Sequence, residues 1–233
     1  MEISFDPQIV AVAPQLRVVT FEADVVNGDT PDELWGLIEA EGVRIRSTLQ
    51  MADINKRPGI AATRSAYKAL GKEPNRYRPS AEAMCRRIVK ENGLYRLTTL
   101  VDLINLVSIR SGYSIGGFDA DRVSGDMLTL GVGREGEEFE AIGRGQLNIA
   151  CLPVYRDETG GIGTPTSDHM RTRLTHDTRR LLMTVNIYGE EMPVGDLVGL
   201  VDRLLRTFAG ARNIVIRKHQ PYETAQDISV ERQ

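Results

Sequence analysis

Residues 64–126 read RSAYKALGKEPNRYRPSAEAMCRRIVKENGLYRLTTLVDLINLVSIRSGYSIGGFDADRVSGD. The centre of this block, Leu97 to Arg110, predicts a buried helix because apolar side chains cover most of its circumference. Two further helices are predicted before it, at about 60–70 and 80–91, each followed by a glycine-containing stop signal. After Gly112 the pattern changes to short strands separated by glycine and aspartate turns. The block therefore predicts helices packed against a sheet.

The flanking segments add strands and two more helices. Residues 2–5 and 16–26 are rich in β-branched residues and predict strands. A helix is expected next, with Thr30 as its N-cap and Glu33 as the capping-box carboxylate. Pro193 to Phe208 predicts an amphipathic helix. The later strands are predicted at YSIGGFD, DMLTLGV, EFEAIG, IACLPVY, RLLMTVNIYG and NIVIRK.

These elements predict an α+β fold, because helices and strands do not alternate regularly. We expect one domain over residues 1–233, with helices in the N-terminal half and a mostly antiparallel sheet in the C-terminal half. No internal repeat or low-complexity linker divides the sequence.

Composition indicates a folded protein of a reducing compartment. The chain is 41% hydrophobic and 26% charged, which is ordinary for a globular domain. Two cysteines, Cys85 and Cys151, are too few for a disulfide framework at this length, so a cytoplasmic location is expected. The N-terminus lacks the pattern of a signal peptide, and no apolar stretch is long enough to predict a membrane span.

Positive charge is concentrated in one segment. Residues 56–96 hold eleven Lys or Arg against three Glu, a net +8, whereas the whole chain has a formal charge of −3. Such a concentration is what a phosphate backbone requires, because affinity depends on local neutralisation. The alternative is a set of solvated helix faces whose basic side chains bind nothing.

One polar line crosses the predicted buried helix. Thr98, Asp102, Asn105 and Ser108 fall on one side at helical spacing, which predicts either a pocket wall or the helix's solvent edge. Asn105 stands out because its amide both donates and accepts hydrogen bonds.

Two glycine clusters, at 114–119 and 157–163, are candidates for close approach of backbone to a ligand. Simple turns are the alternative reading. Neither cluster has the pattern of a phosphate-binding loop or a dinucleotide fingerprint.

Other site types are excluded by their missing patterns. DADRVSGD at 119–126 lacks the glycine and glutamate positions of a calcium loop. The three histidines show no zinc spacing, and no serine stands in a nucleophile elbow. We therefore expect no metal and no cofactor.

Several short motifs together resemble a known family. They are Arg78-Pro79-Ser80-x-Glu82-Ala83 followed by Arg86-Arg87, Leu100-Val101-Asp102-x-x-Asn105, Gly116-x-Phe118-Asp119, Gly125-Asp126 and Asp177-Thr178-Arg179. The chain resembles the B-three/B-four tRNA-binding editing module of the phenylalanyl-tRNA synthetase beta subunit, and still more its stand-alone relatives. The resemblance is closest over residues 60–190.

That resemblance implies a pocket that removes wrongly attached amino acids from tRNA. The family's pocket helix carries Thr-Asn where this chain has Ile104 and Asn105. A family histidine is replaced by Gly116, and a pocket glutamate falls at Thr184. The chain has no synthetase core, so a complete synthetase is excluded.

The resulting prediction is a tRNA-binding domain that hydrolyses misacylated tRNA in trans, with tRNA and the attached amino acid as partners and neither membrane nor DNA expected. The alternatives are a non-catalytic tRNA-binding module and an amino-acid-binding protein without RNA contact. The predicted substrate-binding residues are Asn105, Ser108, Gly116, Phe118, Asp157, Gly160, Gly161 and Thr184. The predicted RNA-binding residues are Lys68, Arg76, Arg78, Arg86, Arg87 and Arg171. The water-activating residue is not predicted.

Overall fold

The computed structural model of the chain describes residues 1–230. Its helices are α1 (Pro7–Val12), α2 (Asp32–Thr48), α3 (Pro58–Ala69), α4 (Ser80–Val89), α5 (Thr99–Ser111) and α6 (Val194–Ala209). Its strands are β1 (Glu2–Phe5), β2 (Arg17–Asp24), β3 (Ser114–Asp119), β4 (Met127–Val132), β5 (Glu140–Ala141), β6 (Gly145–Gln146), β7 (Pro153–Arg156), β8 (Gly161–Gly163), β9 (Arg180–Ile187), β10 (Arg212–His219) and β11 (Gln226–Asp227).

The strands form two main sheets. An antiparallel sheet of five strands has the order β11-β10-β2-β9-β3. A four-stranded sheet has the order β1-β4-β7-β8, in which β1 and β4 run parallel and the other pairs antiparallel. Strands β5 and β6 form a separate ribbon. Because the early strand β2 lies between β9 and β10, the two ends of the chain share one sheet.

The five-stranded sheet is covered on both faces, and the alternation along β9 shows why. Leu181, Met183, Val185 and Ile187 pack in one core with the apolar residues of α2, α5 and α6. Leu182 packs in a second core with residues of β4 and β7 from the four-stranded sheet. Successive side chains of a strand point to opposite faces, so a strand that is buried on both sides joins a helical layer to a second sheet.

The predicted fold class is confirmed: the chain is α+β with mostly antiparallel sheets. The five predicted helices appear as α2 to α6, and the predicted strands match β1, β2 and most of the later ones. The predicted separation into a helical half and a sheet half is looser than expected, since β1 and β2 lie in the N-terminal half and α6 in the C-terminal half. Within residues 1–230, every helix is too short or too polar to span a bilayer.

The predicted N-cap at Thr30 is wrong. Helix α2 begins at Asp32, and its N-cap residue is Pro31, which provides no side-chain cap. The hydroxyl of Thr30 is buried and donates instead to Oδ2 of Asp102, a fully buried carboxylate on α5. A buried carboxylate without donors costs more free energy than a helix N-terminus that water can reach. The Thr30 hydroxyl therefore stabilises the fold more by donating to Asp102 than it would by capping α2.

Candidate functional site

A cavity of about 360 Å³ opens between α5, β3, the start of α4 and the segment 164–174. Its lining residues are Ser80, Met84, Leu97, Thr98, Val101, Ile104, Asn105, Ser108, Ile115, Gly117, Ile142, Thr164, Ser167, Asp168, Arg173 and Leu174. Its volume lies in the range of small-ligand sites. Most of the wall's surface is apolar, and its polar side chains come from three segments, namely the start of α4, residues 98–108 and residues 164–174.

The cavity depends on a glycine in the sheet. Gly117 lies on β3, on the face that looks toward α5. A Cβ atom at this position would lie 2.5 Å from Cδ1 of Ile104 on α5 and 3.0 Å from Cδ1 of Leu174. A larger residue would push both side chains aside, so glycine allows the helix and the 164–174 segment to approach the strand this closely.

Asp168 places a carboxyl group in this largely apolar wall. An isolated bridge to Gly163 holds its backbone, and its carbonyl accepts the Ile142 N–H at 3.0 Å. Its Oδ2 accepts the Gly117 N–H at 3.1 Å. Within residues 1–230 its Oδ1 accepts no hydrogen bond, and no Lys, Arg or His forms an ion pair with the carboxylate. Asp168 therefore belongs to the cavity wall and has one carboxylate oxygen without a donor among the described residues.

The surroundings of Asp168 favour its protonated form. Burial raises the pKa of this carboxyl to about 7, and the hydrogen bond from the Gly117 N–H opposes the rise. A carboxyl group that titrates near neutrality can exchange a proton with a reacting group, which an ordinary surface aspartate does poorly at this pH.

The polar line of α5 divides into two environments. Thr98, Asn105 and Ser108 line the cavity. Asp102 does not, because it is fully buried and accepts hydrogen bonds from the Thr30 hydroxyl and from the Leu97 N–H at 2.9 Å. Of the two alternatives that the spacing left open, a pocket wall and the helix's solvent edge, the pocket wall describes the geometry of three of the four positions.

Asn105 and Ser108 differ in how free their polar groups are. The Ser108 hydroxyl donates to the carbonyl of Tyr113 at 2.6 Å, so its proton is already engaged. The Asn105 amide makes no side-chain hydrogen bond to any residue of the described chain and is half-buried at the cavity wall. Asn105 can therefore donate to and accept from a bound molecule.

Three predicted substrate-binding residues lie together, but on the opposite face of the sheet. Phe118 is fully buried in the core between the two sheets. A Cβ at Gly116 would lie 2.6 Å from Cζ of Phe118 and 2.8 Å from Oγ1 of Thr184. None of the three is among the cavity-lining residues, because these positions of β3 and β9 share the face of the sheet that is directed away from α5.

The second glycine cluster is organised around Asp157. This carboxylate accepts hydrogen bonds from the N–H groups of Ser124, Thr159 and Gly160 at 2.9–3.0 Å and a two-pronged ion pair from Arg171 at 2.8 and 2.9 Å. Burial raises the pKa of Asp157, but Arg171 and the backbone donors outweigh it and leave the pKa below the usual range. The loop residues 157 and 160 and the strand residue Gly161 lie outside the cavity wall, and the guanidinium of Arg171 is occupied by the pair.

Much of the basic segment 56–96 is structural. Arg57 is buried, paired with Glu191 at 2.7 Å and bound to the Ile109 carbonyl. Lys72 is buried and donates to the carbonyls of Asn148 and Ala150 at 2.8 and 2.7 Å. Net charge in the sequence therefore overstates the charge that this segment offers to a partner.

A second internal cluster centres on Glu82, which is fully buried. It accepts from Arg64 Nη1 and from Arg86 Nε, each at 2.8 Å. The predicted RNA-binding residue Arg86 is therefore engaged inside the protein.

The remaining predicted RNA-binding residues lie at the surface. Lys68, Arg76 and Arg78 are exposed. None of the three takes part in an ion pair within the described residues. The guanidinium of Arg87 is stacked on the ring of Tyr95. Arg173, which the sequence did not single out, is exposed at the cavity wall.

The family model of the B3/4 domain matches residues 62–192. The chain belongs to the B3/4 domain family. This confirms the resemblance predicted from the sequence motifs.

Among solved structures, the chain is similar to an N-terminal fragment of the phenylalanyl-tRNA synthetase beta subunit from Pyrococcus horikoshii, with a TM-score of 0.51 and 12% sequence identity. The match covers 98% of this chain and 54% of that one, so the chain spans about half the length of the fragment. At this identity the likeness shows a shared fold. No curated protein matches the chain.

Proposed function

We propose that this B3/4 domain protein binds the acceptor end of aminoacylated tRNA and hydrolyses the ester bond of misacylated tRNA in trans. The observation that supports this most is the cavity beside α5, which is mostly apolar and has Asp168 in its wall. An apolar chamber of about 360 Å³ suits an amino-acid side chain, and a carboxylate in its wall can serve the reacting ester.

In the proposed reaction Asp168 acts as the general base. Its carboxylate takes a proton from a water molecule, the water oxygen attacks the ester carbonyl carbon, and the bond to the ribose oxygen breaks. The proton passes to that ribose oxygen, so the products are a free amino acid and deacylated tRNA. The free amide of Asn105 would orient the aminoacyl group. An ester with an alcohol leaving group does not require a serine nucleophile, so one activated water is sufficient.

Exposed cations support the RNA part of the proposal. Lys68, Arg76 and Arg78 are available at the surface, and Arg173 lies at the cavity itself. Arg78 is two residues before the cavity residue Ser80, which puts charge close to the opening. The solved relative is part of a tRNA synthetase, and tRNA is a cytoplasmic substrate, so the expected cytoplasmic location belongs to the same proposal.

The test is incubation of the full chain with a panel of tRNAs, each charged with a different amino acid. We expect amino-acid release from at least one misacylated tRNA, lost in Asn105→Ala and in Asp168→Asn. The exposed variant Asp177→Asn is the control and should retain activity. Salt-sensitive tRNA binding without release from any member would favour a non-catalytic module. Absence of both would leave an amino-acid-binding protein.

A further inference from the structure

Tyr95 is an exposed aromatic residue that the proposed reaction does not use. It is 66% exposed and lies between α4 and α5, in the irregular segment that leads to Leu97. Leu97 is itself 54% exposed and lines the cavity. Two residues of extended chain span at most about 7 Å, so the backbone of Tyr95 lies within about 7 Å of this residue of the cavity wall.

An arginine stacks on this ring. The guanidinium carbon of Arg87 lies 4.1 Å from the centre of the Tyr95 ring. Arg87 forms no ion pair within the described part of the chain, so its charge is not neutralised by a carboxylate. It lies one helical turn beyond Met84, a cavity-lining residue of α4. The helix and the irregular segment therefore both lead from the cavity wall to the same Arg–Tyr pair.

The chemistry of the pair fits an unpaired nucleotide. Exposed aromatic rings bind bases by stacking, and this mode tolerates any base because every base has a π-face. Arginine adds charge for a neighbouring phosphate and can itself stack. An isolated exposed tyrosine would need no explanation, but one that carries an unneutralised arginine and lies close to residues of a ligand-sized cavity is a candidate site.

We propose that Tyr95 and Arg87 form a stacking platform for the 3′-terminal adenosine of tRNA. This inference rests on the proposed function. In aminoacylated tRNA the amino acid is attached to the ribose of that terminal adenosine. When the aminoacyl group occupies the cavity, the adenine base must therefore lie next to the opening. Arg87 covers one face of the Tyr95 ring, and the base stacks on the surface that remains exposed.

The experiment is a binding cycle with unfractionated deacylated tRNA, either intact or after removal of its 3′-terminal adenosine. Dissociation constants are measured for the wild-type chain, Tyr95→Ala and Tyr95→Phe, with Tyr222→Ala as a control because Tyr222 is 93% exposed elsewhere. We expect Tyr95→Ala to weaken binding of intact tRNA by about fivefold or more, the lower range for loss of one stacked base. Phenylalanine and the control variant should bind as the wild type does.

Shortened tRNA should bind wild type and Tyr95→Ala equally, because the base that Tyr95 contacts is absent. Equal binding of intact tRNA by wild type and Tyr95→Ala would overturn the platform, while salt-sensitive binding by both would leave the proposed function standing. A loss that is the same for intact and shortened tRNA would place Tyr95 against another part of the RNA and would also overturn it. If neither tRNA binds the wild-type chain, the platform and the proposed RNA binding fail together.

Discussion

The backbone N–H of Gly117 donates a hydrogen bond to Oδ2 of Asp168 at 3.1 Å, and both residues line the cavity. This contact holds the carboxylate against β3, and its second oxygen, Oδ1, has no hydrogen-bond donor among the described residues. Among the described residues the carboxylate has one neutral donor and no ion pair, so burial dominates and the pKa of Asp168 rises to about 7. The protein thus tolerates an unpaired carboxylate in the wall of a ligand-sized cavity.

Replacing Asp168 by asparagine should separate stability from activity. Asparagine keeps an oxygen for the Gly117 N–H but cannot accept a proton, so kcat for deacylation should fall roughly 100-fold or more. The raised pKa means that the folded state binds more protons than the unfolded chain between about pH 4 and 7, so the ionised carboxylate destabilises the fold above pH 7.

The variant should therefore melt at a higher temperature than the wild type at pH 8 and about the same at pH 4. The gain in unfolding free energy at pH 8 should be no more than about 4 kcal/mol. Thermal melting and single-turnover deacylation of the two proteins check both statements. Normal turnover by Asp168→Asn would show that another group activates the water.

The pH dependence of deacylation gives an independent check on the same residue. A general base must be ionised, so kcat/KM should rise about tenfold per pH unit below pH 7 and level off above it. Spontaneous ester hydrolysis also increases with pH and must be subtracted at each point. A rate that is flat from pH 5 to 8 after this correction would contradict the assignment.

Prediction from the sequence succeeded where a local pattern decides the structure. The helix α5 is recognisable because its apolar residues surround it, and the spacing of its polar positions left open whether they line a cavity, which three of them do. Asp168 carries no comparable signal. Its position depends on two isolated β-bridges, Gly163–Asp168 and Ala141–His169. Hydrophobic periodicity in the sequence cannot predict that these segments lie side by side. The motif at 116–119 also does not show which face of β3 each residue occupies. Gly116 and Phe118 lie on the face toward the inner core, whereas Gly117 lies on the face toward the cavity.

The charge of the segment 56–96 predicted exposed cations less well than apolar periodicity predicted the helices. Burial decides whether an arginine is free, and burial is a property of the tertiary structure. Arg57 and Lys72 look like surface cations in the sequence, yet both lie inside the protein with bound carbonyl groups. The exposed positions are the ones on which a test of RNA binding should be based.

The combined change of Lys68, Arg76 and Arg78 to glutamine should weaken tRNA binding and reduce its salt dependence. Removing one contact between a cation and a phosphate lowers the magnitude of the slope of log K against log salt by about 0.7–0.9, so removing three lowers it by about 2–3. The matched control changes Arg134, Arg203 and Arg212, which are exposed and do not line the cavity. Equal slopes for the two triple variants would remove these three residues from the RNA-binding surface.

Changing Glu82 to alanine should destabilise the fold rather than the chemistry. Its carboxylate is fully buried between Arg64 and Arg86, so its removal leaves guanidinium groups without their counter-charge. Loss of one partner from a buried pair costs about 3–5 kcal/mol of unfolding free energy. Denaturant unfolding of Glu82→Ala measures this, and Glu223→Ala, at an exposed glutamate, is the control. A change below about 1 kcal/mol would mean that the cluster is solvated or rearranges freely.

His219 should make the fold sensitive to acid. It is buried on β10, where its Nε2 lies 3.0 Å from the Thr20 hydroxyl, and burial lowers its pKa to about 4. Below about pH 6.5 the imidazole binds a proton in the unfolded chain but not in the folded chain. The contribution of His219 to the unfolding free energy is therefore fully present above pH 6.5 and is lost as the pH falls toward 4. The contribution of this residue is about 3 kcal/mol over that range. Glutamine can preserve a polar contact with Thr20 but does not titrate. Between pH 6.5 and 4 the unfolding free energy of His219→Gln should therefore decrease less than that of the wild type. Parallel curves for the two proteins would show that other groups cause the acid sensitivity.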